Sequence, residues 1–494
     1  MKRFLLINPW IADFAAYDFW VKPVGLLCLA ELLRQSGPEV ILLDCLDRHD
    51  PGWLQWLGRS AARERWDGTG KFHREPIPKP PLLGDVPRRY CRYGWSVEYF
   101  RARLAGLARP DAVLVTSHMT YWYPGVQEAV REVRRRWPGV PVILGGIYAT
   151  LCREHAAKHS AADLVVGAPL TGDSLRALWE WLGLTESPPD DWFPSLERLP
   201  YDLYPNLRSA AILTGLGCPF RCTFCASYLL HPVFVRREPA AVAREIAHLH
   251  KARGVLHFAF FDDALLLGAT RHFLRLCEEI LLQGVRAYFH TPNGLHVREV
   301  SREVAEAMAA TGFRTIRLSY ETSNPQRQQE MAAKVSDGDL AAALDHLEQA
   351  GYSRSEIGVY VLGGLPGQEL AEVIDSLLTV AGLGARSSLA IFSPIPGTRE
   401  FAKAVEMGLL PANPDPLLTN DTRVPLRSEQ FNPATVQKLR HLVKWLNQQV
   451  ERRNFRFPDR DALVHWVLDP GARTMPTGGQ EAVDWVGSDR SLSP

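Results

Sequence analysis

The chain has 494 residues, 46% of them hydrophobic, and a formal net charge of +1. That length exceeds one ordinary domain, so two or three are expected, each with apolar material enough for a core. The near-neutral balance argues against a global basic field that would hold nucleic acid, and no apolar stretch approaches the length of a membrane span. Eight cysteines stand at 28, 45, 91, 152, 218, 222, 225 and 277, and only three of them cluster. This is no disulfide framework; it suits a reducing compartment, and a soluble, cytoplasmic protein is expected. The opening Met1-Lys2-Arg3 is basic, but the apolar run behind it is too short for a signal sequence.

From residue 1 to about 195, short apolar runs alternate with helical patterns. The runs fall at 4–7, 40–43, 112–115, 141–144 and 164–166, and a helical pattern over 24–35 separates the first two. Such alternation predicts a parallel, doubly wound sheet of flavodoxin-like order with ligands at the strands' carboxyl ends. Two of those ends stand out: Thr116-Ser117-His118-Met119-Thr120, and Gly145-Gly146-Ile147-Tyr148-Ala149-Thr150. A Gly-Gly pair alone makes a tight turn in any α/β protein. Both turns in register resemble the cobalamin-binding domain, in which a Ser/Thr turn and a Gly-Gly turn cradle the nucleotide tail, with glycine letting backbone approach the ligand. On that resemblance Ser117, Gly145 and Gly146 are cobalamin-binding candidates.

Asp47-Arg48-His49-Asp50-Pro51-Gly52 spells the D-x-H-x-x-G that supplies a lower histidine to cobalt in methionine-synthase-like domains. It follows the second strand here rather than the first, so 47–52 reads as a loop and His49 as no ligand. The first-strand loop offers Asn8, Trp10, Tyr17 and Trp20 without an imidazole, and Tyr121, Trp122 and Tyr123 add aromatics after the third strand. Cobalt's lower face is therefore expected to meet an aromatic wall or water, with His118 pointing into the sheet or at the tail. Residues 50–100 break the rhythm with Trp, Arg and Pro, and a docking surface is favoured over an RNA-stacking face.

An apolar run at 210–214 then leads into Gly217-Cys218-Pro219-Phe220-Arg221-Cys222-Thr223-Phe224-Cys225. Three thiols spaced C-x3-C-x2-C can converge on one metal centre, and thiolates select zinc, copper(I) or iron–sulfur clusters. The loop by itself leaves open a structural zinc knuckle, with His231 or a remote cysteine as fourth ligand. Phe224 before the last cysteine makes the motif resemble the signature of radical S-adenosylmethionine enzymes, whose three cysteines hold a [4Fe–4S] cluster with one iron open.

Six strand-then-helix units follow, with strands near 211–213, 257–261, 287–290, 315–319, 358–362 and 389–392. They predict a partial (β/α)6 barrel with its reacting groups at the strands' carboxyl ends. Those ends carry Phe261-Asp262-Asp263, Glu321-Thr322-Ser323, Gly364-Leu365-Pro366-Gly367 and Pro396-Gly397-Thr398. In this order they look like the landmarks of radical enzymes with an amino-terminal cobalamin-type domain, and they favour the cluster over zinc. The resemblance implies that Cys218, Cys222 and Cys225 hold the cluster and that Glu321 meets polar groups of S-adenosylmethionine. It implies that Phe224, Gly363 and Gly364 line the cofactor, and that Asp262 and Asp263 orient cofactor or substrate. The two aspartates read equally well as acidic caps of the next helix. Asn293-Gly294-Leu295 stands where an arginine is commoner in the family, and the Gly-Gly-Glu that many relatives place after strand two is absent.

The expected architecture is thus α/β: a flavodoxin-like (Rossmann-type) cobalamin-binding-like domain over 1–195, a radical S-adenosylmethionine barrel over 205–400, a helical region over 401–470 and a disordered tail over 471–494. A basic amphipathic helix over 430–455 is expected across the barrel mouth. The resemblance implies a [4Fe–4S] cluster, S-adenosylmethionine and cobalamin as cofactors, and a flavodoxin or ferredoxin as electron donor. The leading activity is methyl transfer to an unactivated carbon of an unknown substrate. The alternatives are a non-methylating radical rearrangement or cyclisation and, from another class, a zinc-stapled RNA-binding or scaffold protein.

Overall fold

The computed structural model describes residues 1–186 and 188–476. The tail expected to lack order therefore lies outside the described residues from 477 onward. Strands Arg3–Asn8 (β1), Glu39–Asp44 (β2), Ala112–Val115 (β3), Val142–Leu144 (β4) and Leu164–Val165 (β5) form one parallel sheet in the order β2-β1-β3-β4-β5. Phe4, Leu5, Leu6 and Ile7 are all buried, because helices cover both faces of the sheet. This is the flavodoxin-like order. Its reversal between β1 and β3 opens a crevice beyond their carboxyl ends, where such folds bind ligands.

The stretch between β2 and β3 is folded. Asp50 accepts from the Trp53 N–H at 2.7 Å and caps a helix over Pro51–Trp56. A helix therefore begins inside the segment read as a loop from its turn-forming composition. Beyond it, Ile11–Asp13, Cys91–Tyr93 and Arg74–Pro76 form a small antiparallel sheet with Cys91–Tyr93 in the middle.

The second sheet system consists of Ser209–Ile212 (β6), His257–Phe260 (β7), Tyr288–His290 (β8), Phe313–Thr315 (β9), Arg317–Glu321 (β10), Gly358–Gly363 (β11) and Arg386–Ile391 (β12). The order β6-β7-β8-β9 makes one parallel half and β10-β11-β12 the other. Strands β9 and β10 are one run of chain broken at Ile316, so the fourth barrel strand belongs to both halves. The result is an open barrel of six strand positions.

Phe258, Phe260, Phe289 and Phe313 stack together on the outer face, with Phe273 of the helix Phe273–Leu282 against Phe313. Alternation then turns His257 and His290 inward. There the first domain meets the barrel: Trp20 stacks on His290 with centroids 4.0 Å apart, and its Nε1 donates to the Asp67 carbonyl at 2.7 Å. His290 is also 3.1 Å from His257 Nδ1 and 3.0 Å from Thr315 Oγ1.

Burial, then the neighbouring His257, pushes the His290 imidazole down to about 3. Its folded pKa lies below the unfolded value, so the unfolded chain takes up the proton first as pH falls. The stability it contributes is complete above about 6.5 and is lost on the way to pH 3. Buried Asp47 and Asp262, pushed up to about 7 and about 6, work in the opposite sense. Comparison with a single variant cancels them: the stability advantage of the wild type over His290→Gln should shrink by up to about 1.4 kcal/mol per pH unit below 6.5. Urea unfolding across that range checks this, and a pH-independent difference contradicts it.

The helix Pro433–Glu451 lies along β12 rather than across the barrel mouth. Asn447 Oδ1 accepts from the Ser387 N–H at 2.9 Å, and Asn447 Nδ2 donates to the Ser387 carbonyl at 3.0 Å. A free edge strand needs covering more than the mouth does, and one amide satisfies a donor and an acceptor there. Asn447→Ala strips both partners and should cost about 1–3 kcal/mol in thermal or denaturant unfolding. The segment before that helix straps back to the first domain: Asn420 Nδ2 donates to Asp13 Oδ1 at 2.9 Å, and Leu417 is buried in the first domain's core. Among the described residues no helix is long and apolar enough to cross a membrane.

Candidate functional site

The cysteine loop leaves β6 through a polar clamp. Asp262, at the end of β7, accepts from Thr214 N–H at 3.0 Å, Thr214 Oγ1 at 2.5 Å and Gly215 N–H at 2.7 Å. It is buried, and desolvation pushes its carboxyl up to about 6 against the pull of those donors. Asp262 therefore fixes the base of the loop, and it caps no helix. Its neighbour Asp263 accepts from the Ser227 hydroxyl, and Ser227 N–H donates to Cys225 Sγ at 3.4 Å. Further along, Gly217 has φ +83°, and a Cβ there would lie 2.8 Å from the His231 carbonyl. Only glycine lets the loop pass so close.

Cys222 is buried; Cys218 and Cys225 are half-buried. Desolvation pushes all three thiols up, Cys225 to about 11. Cys218 Sγ lies 3.9 Å from His296 Nε2. Among the described residues no three His, Cys, Asp or Glu side chains are grouped closely enough to hold a single metal ion. Tetrahedral zinc at about 2.3 Å per sulfur needs donors within about 4 Å of one another. A cluster takes each thiol on a different iron and suits a wider spacing.

Beside the loop sits a buried ion pair. Lys334 Nζ is 3.2 Å from Glu321 Oε1, and each side chain is 8% exposed. Glu321 ends β10 at φ +72°, where the register with β11 shifts, so a bulge aims the carboxylate at the lysine. Lys334 Nζ is 5.5 Å from the Phe224 ring centroid. Burial works against its ammonium, but Glu321 and then Cys222 outweigh burial and hold the pKa above the ordinary lysine value. Phe224 itself packs against the apolar cluster of Met331, Leu365 and Phe392. The Gly363-Gly364 turn is closed on itself: Gly364 and Leu365 N–H groups both donate to Gln368 Oε1, at 2.8 and 3.1 Å. Asn293 Nδ2 donates to the Phe261 carbonyl at 2.8 Å, a structural tie.

In the first domain, Ser117 Oγ donates to the Gly145 carbonyl at 2.7 Å. Gly146 has φ +91°, and a Cβ there would stand 2.3 Å from the Ser117 carbonyl oxygen. Ser117, Gly145 and Gly146 line a cavity of about 810 Å³ whose opposite wall comes from the barrel, including Gly217 beside Cys218, and Asp263. The two Ser/Gly turns and the base of the cysteine loop thus face one space.

Of the two surroundings expected for cobalt's lower face, aromatic wall or water, the aromatic residues named for the first do not line this cavity. Trp10 is buried against Phe100 with centroids 4.9 Å apart, and Trp20 is the contact to His290. Both rings are claimed by packing that short-range sequence cannot show. His118 lines the cavity, with Nε2 3.0 Å from Asn8 Oδ1, and burial lowers its pKa. His49 is buried 3.7 Å from Glu64, pushed down to about 3 chiefly by desolvation, and does not line the cavity.

An open β/α barrel with a thiol loop after its first strand is thus joined to a doubly wound domain across a shared cavity. The radical SAM superfamily model matches residues 212–378 and the B12 binding domain model matches residues 88–169. Residues 88–169 thus form a B12-binding domain, and residues 212–378 form a radical SAM domain behind it. It is 25% identical over 221 residues to the uncharacterized methyltransferase PH0819 of Pyrococcus horikoshii, covering 44% of this chain and 47% of that one. The uncharacterized methyltransferase sll1242 of Synechocystis sp. is 25% identical over 256 residues, covering 48% and 46%. The chain therefore spans about half the length of the curated relatives it matches. Among solved structures, the radical S-adenosylmethionine methyltransferase TsrM from Kitasatospora setae, with cobalamin and a [4Fe–4S] cluster bound, superposes with a TM-score of 0.59 at 17% identity. It covers 82% of this chain and 75% of that one, a likeness of fold.

Proposed function

We propose that the protein is a cobalamin-dependent radical S-adenosylmethionine methyltransferase acting on an unactivated carbon. The observation that carries this reading is the single cavity of about 810 Å³ shared by the Ser117 and Gly145-Gly146 turns and the base of the cysteine loop. The donor set fits the cofactors: Cys218, Cys222 and Cys225 would hold a [4Fe–4S] cluster with one iron open, and the first-domain turns would hold the corrinoid. When bound, the cluster supplies an electron for cleavage of S-adenosylmethionine, and the corrinoid supplies a transferable methyl group. Lys334 offsets negative charge beside the thiols, Glu321 fixes that lysine, Asp262 anchors the loop, and Phe224 seals its apolar side from water. A one-electron donor such as flavodoxin or ferredoxin would serve the cluster.

Anaerobic purification from cobalamin-fed cells tests the reading, with iron, sulfide and corrin measured together. About four irons and about one corrin per chain are expected. Trideuteromethyl S-adenosylmethionine should then label the corrinoid. Full S-adenosylmethionine cleavage by corrin-free protein would favour radical chemistry without methylation, and a colourless zinc protein would refute both. Glu321→Gln keeps the shape but removes the charge that holds Lys334. It should weaken S-adenosylmethionine binding about tenfold or more while iron stays near normal, read by equilibrium dialysis.

A further inference from the structure

A second cavity, of about 610 Å³, lies away from the cysteine loop, between the end of β2 and the folded insertion. That volume falls within the usual range for small-ligand sites. Its rim carries Arg59, Arg63, Arg65, Lys71 and Arg74, all exposed and none in an ion pair among the described residues. Two acids line the same cavity. Asp47 is buried and faces Lys22 at 3.8 Å, and Glu64 is shared by Arg208 at 3.3 Å and His49 at 3.7 Å. Five positive charges thus converge on a concavity with no free acid to answer them. The wider chain is nearly neutral, so this local excess is not a consequence of composition.

The rim is also built to hold its shape. Arg48, 6% exposed, spends its guanidinium on Asp18 Oδ2 at 2.7 Å, the Arg63 carbonyl at 3.0 Å and the Gly68 carbonyl at 3.2 Å. A buried arginine that ties down the backbone of residues 63 and 68 holds Arg63 and Arg65 in place on the rim. The floor is apolar and closed, with Trp53, Phe72 and Trp95 at 3%, 6% and 2% exposure. Buried rings of this kind cannot stack on bases, which disfavours single-stranded RNA inside the cavity. Trp56 and Trp66, at 51% and 66% exposure, lie outside its lining.

We infer that this cavity is a binding site for a small polyanion, a molecule bearing several phosphate or carboxylate groups, distinct from the cofactor cavity and independent of the methyltransferase reading. Arginine forks at 63 and 65 grip the anionic groups in pairs, Lys71 and Arg74 answer them from the other rim, and Arg48 acts only through the backbone it positions.

The test is calorimetric titration of the purified full chain with inorganic tripolyphosphate and, separately, citrate, at low salt. Saturable binding of either near one equivalent is expected, and the stronger of the two names the ligand chemistry. The double variant Arg63→Glu with Arg65→Glu should weaken it at least about tenfold. Arg440→Glu with Lys444→Glu, on the exposed face of the helix Pro433–Glu451, makes the same change in net charge and should leave binding intact. Iron content and melting temperature of both variants establish that the chain still folds. Three results overturn the inference: no saturable binding of either anion, equal losses in the two double variants, or binding of an oligouridylate at this rim without binding of either small anion. The last would assign the surface to nucleic acid.

Discussion

Cys222→Ala is expected to leave a chain that folds but holds little iron and no longer cleaves S-adenosylmethionine to 5′-deoxyadenosine. Cys222 is the most buried thiol of the loop, in a setting that favours the uncharged form until a metal takes the proton's place. Removing one of three thiolates from a cluster with an open iron leaves too few ligands, and the effect should be loss of activity rather than a graded change. Cys218→Ala and Cys225→Ala should behave alike. Cys28, Cys45 and Cys277 are buried in apolar surroundings that push their thiols up, and Cys91 is buried in the small sheet's packing. Conservative replacements there should cost stability but leave iron per folded chain unchanged. Iron and sulfide analysis with the cleavage assay reads both sets. A Cys222→Ala protein with full cleavage would remove this loop from the chemistry.

The parts legible in the sequence were those whose signal is local. Apolar runs of four to six residues announced the two parallel systems, because strands buried on both faces have no alternation to hide behind. A nine-residue loop carried the three cysteines. The Ser117 and Gly145-Gly146 turns were legible because a strand's carboxyl end is a known place to look. What stayed hidden depends on contacts between distant segments. Asp262 reads as a ligand candidate until Thr214 and Gly215, 48 and 47 residues earlier, are seen donating to it. Lys334 is an ordinary lysine in sequence, and only the bulge at Glu321 makes it the neighbour of Phe224. A buried lysine among Met331, Ala332, Ala333 and Val335 was the one faint sign. Trp10 and Trp20 invited a ligand wall because aromatic loops often make one, yet both were needed for packing. The small sheet of the insertion pairs Ile11 with Tyr93 across 82 residues of chain, a distance no window of periodicity spans.

Gly145→Leu and Gly146→Leu should both empty the first-domain cavity of corrin, for different physical reasons. At Gly146 the backbone itself forbids a side chain. With φ +91° and a Cβ 2.3 Å from the Ser117 carbonyl oxygen, any substitution pushes the third and fourth strand ends apart. Left-handed strain alone costs about 1–2 kcal/mol. The clash is with backbone, so no rotamer relieves it, and a lower melting temperature should accompany the loss of corrin. At Gly145 the nearest atom to a Cβ is the Val166 carbonyl at 3.7 Å, an ordinary contact, and φ is not in the left-handed region. Leucine there fits the fold and fills cavity instead, so melting should stay close to wild type while corrin is excluded. Iron should survive in both, since the thiols belong to the barrel. Corrin retained at full stoichiometry in a well-folded Gly145→Leu protein would show that the Gly-Gly turn does not bound the corrinoid, whatever happens at Gly146.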